Sequence, residues 1–572
     1  MLRSGFNRRT RVALPVVFLL AATAAPSVVA QDRGVVRTDA GVVASQQWIA
    51  SQVGADVLAA GGNAVDAAIA TGFALAVTHP TAGNIGGGGF MVIRFPNGQS
   101  TAIDFREKAP LAAHPEMWLD ENGEYSSEMH HRSHLAVGVP GTVAGFEKAH
   151  TLYGEAQWAS LVDASVALAE EGFVLSDALA GSIARFVGRT PHEASVQAYS
   201  REGTPYVAGE TMSLPDLARS LARIRDQGAD GFYSGETARL IASEMRRGGG
   251  MITEEDLARY RARERTPVTG TYRGYDVISM PPPSSGGVAI VTMLNILEAY
   301  DLASMGHNSA EYIHHLAEAM RRAFRERAAY LADSDFADVP VQRLTGKEHA
   351  AWLRRNIHPE RASVSHPSDV MLPPESMQTT HYSVVDADGM AVSVTYTLES
   401  GYGSGIVVPG AGFLLNNEMG DFNAGPGITS ESGLIGTKPN LARPEQRMLS
   451  SMSPSIVARD GELVAVVGSP GGRTIINTTL QLILNIVDFG MSIDEAVAAR
   501  RIHHQWLPDR IRIEADGTSP AAIQRLEEMG HTVQMGGQQG SANSIGVDPR
   551  TGEIVGAPDP RSPDSGARAG RR

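Results

Sequence analysis

Two segments in the last third of the 572-residue chain alternate apolar and polar residues in the way that β-hairpins do. The first, 380–398, turns at Asp388-Gly389, and the second, 453–472, turns at Asp460-Gly461. A long apolar stretch, 473–489, follows the second hairpin directly and has the length of a helix. Because a sheet with an apolar face has to bury that face under another layer, this order predicts an α/β (α+β) fold in which helices cover sheets.

The first part of the chain adds helices and another pair of strands. Residues 42–78 predict two helices, of which the second is apolar on all sides and therefore buried. Four glycines, Gly86 to Gly89, then lead into two strands. These glycines lack the Lys-Ser/Thr of a phosphate loop, which favours close backbone packing as their role. The middle of the chain, about 110–360, predicts mainly helix, interrupted by prolines and glycines at 280–287.

The two ends of the chain predict export and disorder, respectively. Four arginines among the first eleven residues precede an apolar run, 12–25, and small residues stand before Gln31. That order is typical of a signal peptide, here 1–30, with an uncleaved membrane anchor as the alternative. The exported protein is expected in the periplasm, or secreted outright. The last dozen residues have the composition of a disordered tail.

The composition excludes several classes of site and partner. The chain has no cysteine, which rules out disulfides, thiolate zinc sites, iron–sulfur clusters and a cysteine nucleophile. Its 49 Lys+Arg against 63 Asp+Glu give a net charge of −14, which argues against a nucleic-acid partner, because phosphate binding requires a surplus of basic residues. A nucleophile would have to be serine, threonine, lysine or a carboxylate.

The segment Gln378-Thr379-Thr380, where a polar and proline-rich stretch meets the first hairpin, offers one such nucleophile. A threonine hydroxyl needs a base beside it, and a free α-amine on the same residue can serve because its pKa lies near 8. That arrangement requires the peptide bond before Thr379 to break. Threonine pairs also favour strand starts through their β-branching, so the residues alone leave both interpretations open.

Three further segments carry groups that could act on a substrate. Gly468–Gly472 lies at a predicted strand-to-helix junction, where successive glycine N–H groups bind an anion or oxyanion, with an ordinary tight turn as the alternative. Glu418 and Asp421 stand three residues apart and suit an ammonium group, a calcium ion or plain solvation. The hydroxyls of Ser450 and Ser451 precede a strand, where such residues usually cap or turn the chain.

The densest histidine cluster, His130, His131 and His134, contains no H-E-x-x-H pattern, and we interpret it as a polar surface loop rather than a metal site. The segment 426–446 is rich in Gly, Pro and Ser and is long for an unstructured connection. It is therefore a candidate lid.

Jointly, these segments resemble the γ-glutamyltranspeptidase family, in family order from about residue 35 to 562. The motifs that carry the resemblance are Asp104-Phe-Arg-Glu, Val139-Pro-Gly-Thr-Val-Ala-Gly-Phe, Tyr275-Asp-Val-Ile-Ser-Met-Pro-Pro-Pro-Ser-Ser-Gly-Gly, Gln378-Thr-Thr-His-Tyr-Ser-Val-Val, Asn416-Asn-Glu-Met-Gly-Asp-Phe, Ser450-Ser-Met-Ser-Pro, Gly468-Ser-Pro-Gly-Gly and His503-His-Gln-Trp-Leu-Pro.

The resemblance implies an N-terminal-nucleophile hydrolase with an αββα sandwich, made as one precursor that cuts itself between Gln378 and Thr379. The products would be a large subunit, 31–378, and a small subunit, 379–572, which form a heterodimer as one intertwined catalytic unit. The implied reaction breaks the γ-glutamyl amide of glutathione and related compounds, and passes the group to water or to an amino-acid or peptide acceptor. The resemblance implies no cofactor and no metal.

The resemblance also assigns roles residue by residue. Thr379 would be the nucleophile with its own α-amine as base, Thr397 would orient it, and the N–H groups of Gly471 and Gly472 would stabilise the oxyanion. The substrate carboxylate would be held by Arg106, Ser450 and Ser451, and its ammonium group by Glu399, Glu418 and Asp421.

Three positions depart from the family pattern. Glu399 replaces an asparagine common in bacterial members, and Gly420 replaces a common aspartate. Ser432 stands where well-studied bacterial relatives have the aromatic residue that gates the pocket. This last difference predicts a more open pocket and a larger share of hydrolysis.

Two other functions remain as alternatives. A glutaryl or cephalosporin acylase of the same fold would share the threonine and the processing, but would not need the acidic group formed by Glu399, Glu418 and Asp421. An exported amino-acid-binding protein with an inert threonine would stay as one chain.

Overall fold

The computed structural model describes residues 34–366, 379–428 and 437–571. Two seven-stranded antiparallel sheets form its centre. In spatial order, the first sheet consists of β21 (Gly566–Ala569), β2 (Val42–Ser45), β12 (Thr380–Val385), β13 (Ala391–Thr397), β3 (Gly88–Arg94), β4 (Ser100–Phe105) and β9 (Arg263–Arg265). The second consists of β1 (Val36–Thr38), β20 (Ile554–Ala557), β19 (Ser544–Val547), β15 (Glu462–Val467), β14 (Ser455–Arg459), β11 (Tyr275–Ser279) and β10 (Val268–Tyr272).

Alternation along the strands places the sheets face to face. Phe90 and Val92 of the first sheet share one apolar cluster with Ile456 and Val466 of the second. The intervening residues, such as Met91, point the opposite way into a separate core formed with helices. Since successive strand residues face opposite sides of a sheet, each sheet has one face on the other sheet and one face under helices.

Helices cover both outer faces. Those packed with the first sheet are α1 (Trp48–Ala59), α2 (Ala64–Thr78), α4 (Thr142–Tyr153), α5 (Trp158–Glu171), α6 (Asp177–Val187), α8 (Pro215–Gln227), α9 (Asp230–Tyr233), α10 (Gly235–Gly248) and α11 (Glu254–Arg259). Those packed with the second are α12 (Gly286–Leu297), α13 (Leu302–Met305), α14 (Ala310–Tyr330), α16 (Lys347–Arg354), α17 (Thr474–Val487), α18 (Ile493–Ala498) and α19 (Pro520–Glu528).

The remaining elements are short: α3 (Ser127–His131), α7 (Glu193–Ala198), α15 (Val341–Leu344), β5 (Phe173–Val174), β6 (Ser200–Arg201), β7 (Thr204–Pro205), β8 (Thr211–Met212), β16 (Ile502–His503), β17 (Ile511–Glu514) and β18 (Val533–Gly536).

The predicted layers and hairpins are confirmed: four layers in the order αββα, with β12–β13 turning at Asp388-Gly389 and β14–β15 at Asp460-Gly461. Every residue of α2 is buried, as its all-round apolar character predicts. The close packing of the glycine run is also confirmed, since a Cβ on Gly87 would lie 2.1 Å from the Thr397 carbonyl oxygen.

The predicted disorder of the C-terminal tail is wrong. Gly566–Ala569 forms β21, which pairs antiparallel with β2 at the edge of the first sheet. The strand consists of small residues and arginine without an apolar alternation, so its order depends on partners far away in sequence. One such contact is the hydrogen bond from Ser51 Oγ to the Gly566 carbonyl oxygen, at 2.7 Å.

Within the three described ranges, no helix is both long and apolar enough to cross a membrane. The predicted signal peptide, 1–30, lies outside the described residues.

Candidate active site

Thr379 and Thr397 lie side by side at one end of the first hairpin. The β12–β13 register pairs Thr380 with Tyr396, which places the residue before β12 next to the last residue of β13. The Thr379 hydroxyl donates to the Thr397 hydroxyl at 3.4 Å, and Thr397 Oγ1 in turn accepts from the Glu399 amide at 2.8 Å. Both threonines are buried, and both line the same small cavity.

A small cavity opens from this pair and brings together most of the residues that the sequence predicts for the site. Its lining consists of Thr379, Thr397, Glu399, Glu418, Asp421, Ser450, Ser451, Met452, Gly472 and Ile475. Gly471 is adjacent in the chain, whereas Arg106 does not line the cavity.

The glycine loop lies at the start of α17. Gly471 and Gly472 have φ values of 127° and 56°, which side-chain-bearing residues adopt rarely and only at a cost in energy. Thr474 closes the turn by donating its amide and its hydroxyl to the Gly471 carbonyl oxygen, at 3.1 and 2.7 Å. Among the described residues, neither glycine amide donates a hydrogen bond. The two N–H groups are therefore suited to receive an anion at a helix N-terminus.

Arg106 is fully buried between the acidic residues of the site. Its guanidinium donates to Glu418 Oε1 and to Asp421 Oδ2. It also donates to the carbonyl oxygens of Met448 at 3.3 Å and Leu449 at 3.4 Å, just before the serine pair. Burial opposes its charge, but the surrounding carboxylates outweigh that effect and raise the pKa of Arg106.

Three buried glutamates at or beside the cavity, Glu107, Glu399 and Glu418, have raised pKa values, mainly because burial disfavours their charged form. Burial raises the pKa of Glu399 to about 7 and that of Glu107 to about 8. It also raises the pKa of Glu418 well above its ordinary value, although Arg106 opposes the shift. In the described structure, Glu418 Oε2 is buried and accepts no hydrogen bond. A cation that entered the cavity would find these acceptors and favour their ionisation.

The prediction that the histidine cluster is a polar surface loop is wrong. His130 is buried against Trp118, with ring centroids 4.0 Å apart, and its Nε2 lies 3.1 Å from the Met419 carbonyl oxygen. His134 is buried beside Glu244, with Nε2 2.9 Å from a carboxylate oxygen. His130 is buried because α3 packs against the short 3-10 turn Glu418–Asp421, and His134 is buried because it packs against α10. Local polarity reveals neither contact.

His131 is a neighbour of the site that the sequence reasoning missed. Its Nδ1 lies 3.5 Å from Glu399 Oε1. The same contact explains Gly420, because a Cβ at that position would lie 2.4 Å from His131 Nδ1 and 3.0 Å from Glu399 Oε1. No local signal in the sequence connects residues 131, 399 and 420.

One cluster outside the cavity has the composition of a metal site. His314, Glu318 and His531 place their ligand atoms within 4.8 Å of one another. However, His314 Nδ1 lies 2.8 Å from His531 Nε2, and Glu318 is held by Arg321 and Arg322. Hydrogen bonds and ion pairs thus account for the cluster, and we assign it no metal.

Two predicted features lie outside the described residues: Gln378, on the far side of the predicted cut, and Ser432, within the candidate lid. The cut and the open pocket therefore stay predictions, as do the roles assigned to the individual site residues.

Comparisons with known proteins agree on one family. The sequence profile of the γ-glutamyltranspeptidase family matches residues 50–569. A glutathione hydrolase proenzyme from Escherichia coli K12 is 48% identical over 99% of both chains. Among solved structures, a cephalosporin acylase from Bacillus halodurans superposes with a TM-score of 0.83 at 27% identity, covering 97% of this chain and 99% of the other.

A second solved structure, γ-glutamyltranspeptidase from Helicobacter pylori, is 44% identical and has a TM-score of 0.54, covering 55% of this chain and 91% of the other. The family match spans nearly all of the described residues, including both hairpins and the acidic cavity. The chain belongs to the γ-glutamyltranspeptidase family.

Proposed function

We propose that this protein is a proenzyme that cuts itself before Thr379 and then acts as a γ-glutamyltransferase and glutathione hydrolase. The observation that carries the proposal is the buried Thr379–Thr397 pair in a cavity that is also lined by three carboxylates, two serines and Gly472 of the glycine loop. The family match and the name of the 48% identical relative support it.

The proposed chemistry begins with attack of the Thr379 hydroxyl on the γ-carbonyl carbon of the substrate. The freed α-amine of Thr379 takes the hydroxyl proton and gives it to the leaving amine, so the γ-glutamyl group remains as an ester on the threonine. Water or an acceptor amine then attacks the ester in the same way. The amides of Gly471 and Gly472 face the oxyanion, and such a donor is worth about 3–4 kcal/mol in other enzymes.

Charge selects the head group of the substrate. Glu399, Glu418 and Asp421 surround the α-ammonium group, for which Glu418 Oε2 is a ready acceptor, since it is buried and accepts no hydrogen bond from the residues that the structure describes. The hydroxyls of Ser450 and Ser451 face the α-carboxylate. Arg106 links the acidic residues to the serine pair. Its guanidinium donates to Glu418 and Asp421, and also to the carbonyl oxygens of the two residues just before Ser450.

The proposed maturation has two cuts. Removal of 1–30 on export gives a chain in the periplasm or outside the cell, and the cut between Gln378 and Thr379 gives subunits 31–378 and 379–572. With Ser432 in place of a gating aromatic, hydrolysis should take a larger share than transfer. The ratio of products with glycylglycine as acceptor measures that share, and a ratio dominated by transfer would contradict the expectation.

Acylase activity is the second candidate, since a cephalosporin acylase shares the fold. The three carboxylates argue against it, because a glutaryl group has no ammonium to bind them and would bring a negative charge into an acidic cavity. The direct comparison is turnover of γ-glutamyl-p-nitroanilide and glutaryl-p-nitroanilide by the same preparation. Preference for the glutaryl compound would overturn the proposed substrate class while leaving the nucleophile unchanged.

The test of the nucleophile is the intact mass of the wild type beside Thr379→Ala and Thr379→Ser, with γ-glutamyl-p-nitroanilide turnover on each. We expect two chains and activity for the wild type, one inert chain for Thr379→Ala, and two chains with reduced activity for Thr379→Ser, which keeps a hydroxyl. A single uncut wild-type chain that binds glutamate without turnover would mean an inactive binding protein.

A further inference from the structure

A buried arginine stands behind the serine side of the cavity. Arg327 lies in the last turn of α14 and is 3% exposed, next to Phe324 and Ala328 of the apolar core. A guanidinium in such surroundings loses hydration, so its position requires compensating polar contacts. Two of its contacts within the described part of the chain are with serines at and behind the cavity.

Arg327 connects two serines. Its Nε donates to Ser285 Oγ at 2.9 Å, and its Nη2 donates to Ser451 Oγ at 3.2 Å. Ser451 lines the cavity, whereas Ser285 lies behind it and is fully buried. Arg327 is thus one residue removed from any molecule bound in the cavity.

Ser285 extends the connection to Ser450. Its amide and hydroxyl both donate to the Ser450 carbonyl oxygen, at 2.7 and 2.6 Å, and the Ser450 amide donates to the Pro283 carbonyl oxygen at 2.9 Å. The proline-rich segment 280–287 therefore packs behind the serine pair and fixes its backbone by hydrogen bonds. The catalytic roles proposed above include no residue of this segment, and these contacts assign it one.

The contact with Arg327 orients the Ser451 hydroxyl. The guanidinium fixes the position of the Ser451 oxygen, and its positive charge makes the hydroxyl a stronger donor. Because Ser451 lines the cavity, this charge favours an anionic group on the serine side of the cavity. The cavity is thus lined by three carboxylates and by the serine pair, and the Arg327 guanidinium lies behind Ser451. Negative groups for an ammonium and a positive group for a carboxylate match the two charges on the α-carbon of the donor.

We propose that Arg327, acting through Ser451 and Ser285, is a positioning residue that sets specificity for the α-carboxylate of the γ-glutamyl donor. This inference rests on the proposed function. It concerns selection of the donor and leaves the attack by Thr379 unchanged.

The test compares two donors that differ only in the carboxylate: γ-glutamyl-p-nitroanilide and 4-aminobutyryl-p-nitroanilide. Arg327→Gln should lower kcat/KM for the first about 10- to 100-fold, mainly through KM, because a charge-assisted contact is lost. It should change kcat/KM for the second less than about twofold. Arg327→Lys, which keeps the charge but cannot reach both serines in the same way, should fall between wild type and Arg327→Gln.

Arg325→Gln is the matched control, since Arg325 lies on the same helix, is one-third exposed and pairs with Glu326. It should leave both donors unaffected, and intact mass should show two chains for every variant. If Arg327→Gln fails to fold or to be cut, Ser285→Ala replaces it in the test. We expect this variant to lower kcat/KM for γ-glutamyl-p-nitroanilide selectively as well, but by a smaller factor.

An equal loss on both donors would show a merely structural role and overturn the proposal, as would no loss on either. Failure of the wild type to turn over γ-glutamyl-p-nitroanilide would instead overturn the proposed function, so the two failures are distinguishable.

Discussion

At the scale of single residues, burial of the carboxylates determines the pH at which the site becomes negatively charged. Glu399 is buried beside His131 and has a pKa of about 7, so its charge changes within the physiological range. A carboxylate attracts an ammonium group only when it is ionised. Donor binding should therefore strengthen as the pH rises through about 7, and weaken as the pH falls below it.

We predict that Glu399→Gln changes the acidic side of the pH profile of kcat/KM, which reports groups of the free enzyme. In the wild type, Glu399 and the α-amine of Thr379, with an ordinary pKa of about 8, must each lose a proton, and so must Glu418, whose pKa is also raised. Each group adds one to the slope of log kcat/KM against pH below its own pKa, so the limiting acidic slope should be lower by one in Glu399→Gln than in the wild type. At pH 8.5, loss of the charged contact should lower kcat/KM about 10- to 100-fold.

The measurement is steady-state turnover of γ-glutamyl-p-nitroanilide from pH 5 to 9. Glu128→Gln, an exposed acid on the neighbouring α3, serves as control and should leave the profile unchanged. Parallel acidic limbs in wild type and Glu399→Gln would contradict the assignment of the shifted pKa to the site.

The sequence motifs predict which side chains line the cavity, but they do not predict which groups stand behind them. His131 contacts Glu399, which is 268 residues away in the sequence, and Arg327 contacts Ser451, which is 124 residues away. Such contacts depend on how helices pack against the sheets, and neither side chain has a local pattern that distinguishes it from other surface-type residues. The alternation of the two hairpins, by contrast, is a local property and could be predicted directly.

At the scale of elements, the loop between β15 and α17 depends on its backbone conformation. We predict that Gly471→Ala lowers kcat at least about 10-fold with a small effect on KM. The added Cβ would meet an unfavourable φ of 127° and would lie 2.4 Å from Thr474 Oγ1. Relief of that clash moves the two amides that we propose face the oxyanion, and a misplaced donor loses most of its value in the transition state.

Gly461→Ala is the matched control, because it introduces the backbone strain of a positive φ without a steric clash. Gly461 has a φ of 85° in the turn of the neighbouring β14–β15 hairpin, and a Cβ added there would have no atom within 4 Å. The substitution should lower stability by about 1–2 kcal/mol and leave kcat unchanged. Equal kcat values for Gly471→Ala and wild type would remove the loop from the proposed mechanism.

Asp386 joins the β12–β13 hairpin to α2. Its carboxylate accepts from the amides of Asp388 and Met390 in the turn, at 3.1 and 2.9 Å, and from the Ala64 amide at the start of the helix, at 3.0 Å. We predict that Asp386→Ala lowers the free energy of unfolding by about 2–4 kcal/mol, because it leaves three amides without their acceptor. Asp388→Ala, in the same turn but exposed, should cost less than about 0.5 kcal/mol.

Urea unfolding of both variants in the uncut Thr379→Ala background measures this difference for a single chain. Similar losses for Asp386→Ala and Asp388→Ala would show that the turn, and not its link to α2, determines stability.

The edge strand β21 shows what a local sequence pattern cannot predict at this scale. Its GARA sequence lacks alternation, and its order follows from pairing with β2 more than 500 residues earlier.

At the scale of the whole molecule, both sheets mix strands from either side of the proposed cut. In the first sheet, β12 and β13 lie between β2 and β3, and in the second sheet β14 pairs with β11. Neither proposed subunit can leave without breaking the backbone ladders of both sheets. The two chains should therefore stay together after the cut and separate only when they unfold.

We predict that this arrangement makes the stability of the processed protein depend on concentration. Unfolding of two chains that separate releases two particles, so the midpoint should rise with total protein over a 100-fold range, by the mass-action term that governs any dimer. The uncut Thr379→Ala chain unfolds as one particle, and its midpoint should not move. Urea denaturation followed by circular dichroism, with size exclusion at each concentration, measures both. A processed protein whose subunits separate below the unfolding midpoint would contradict the strand order, and a midpoint independent of concentration would show that the chains remain associated after the sheets are lost.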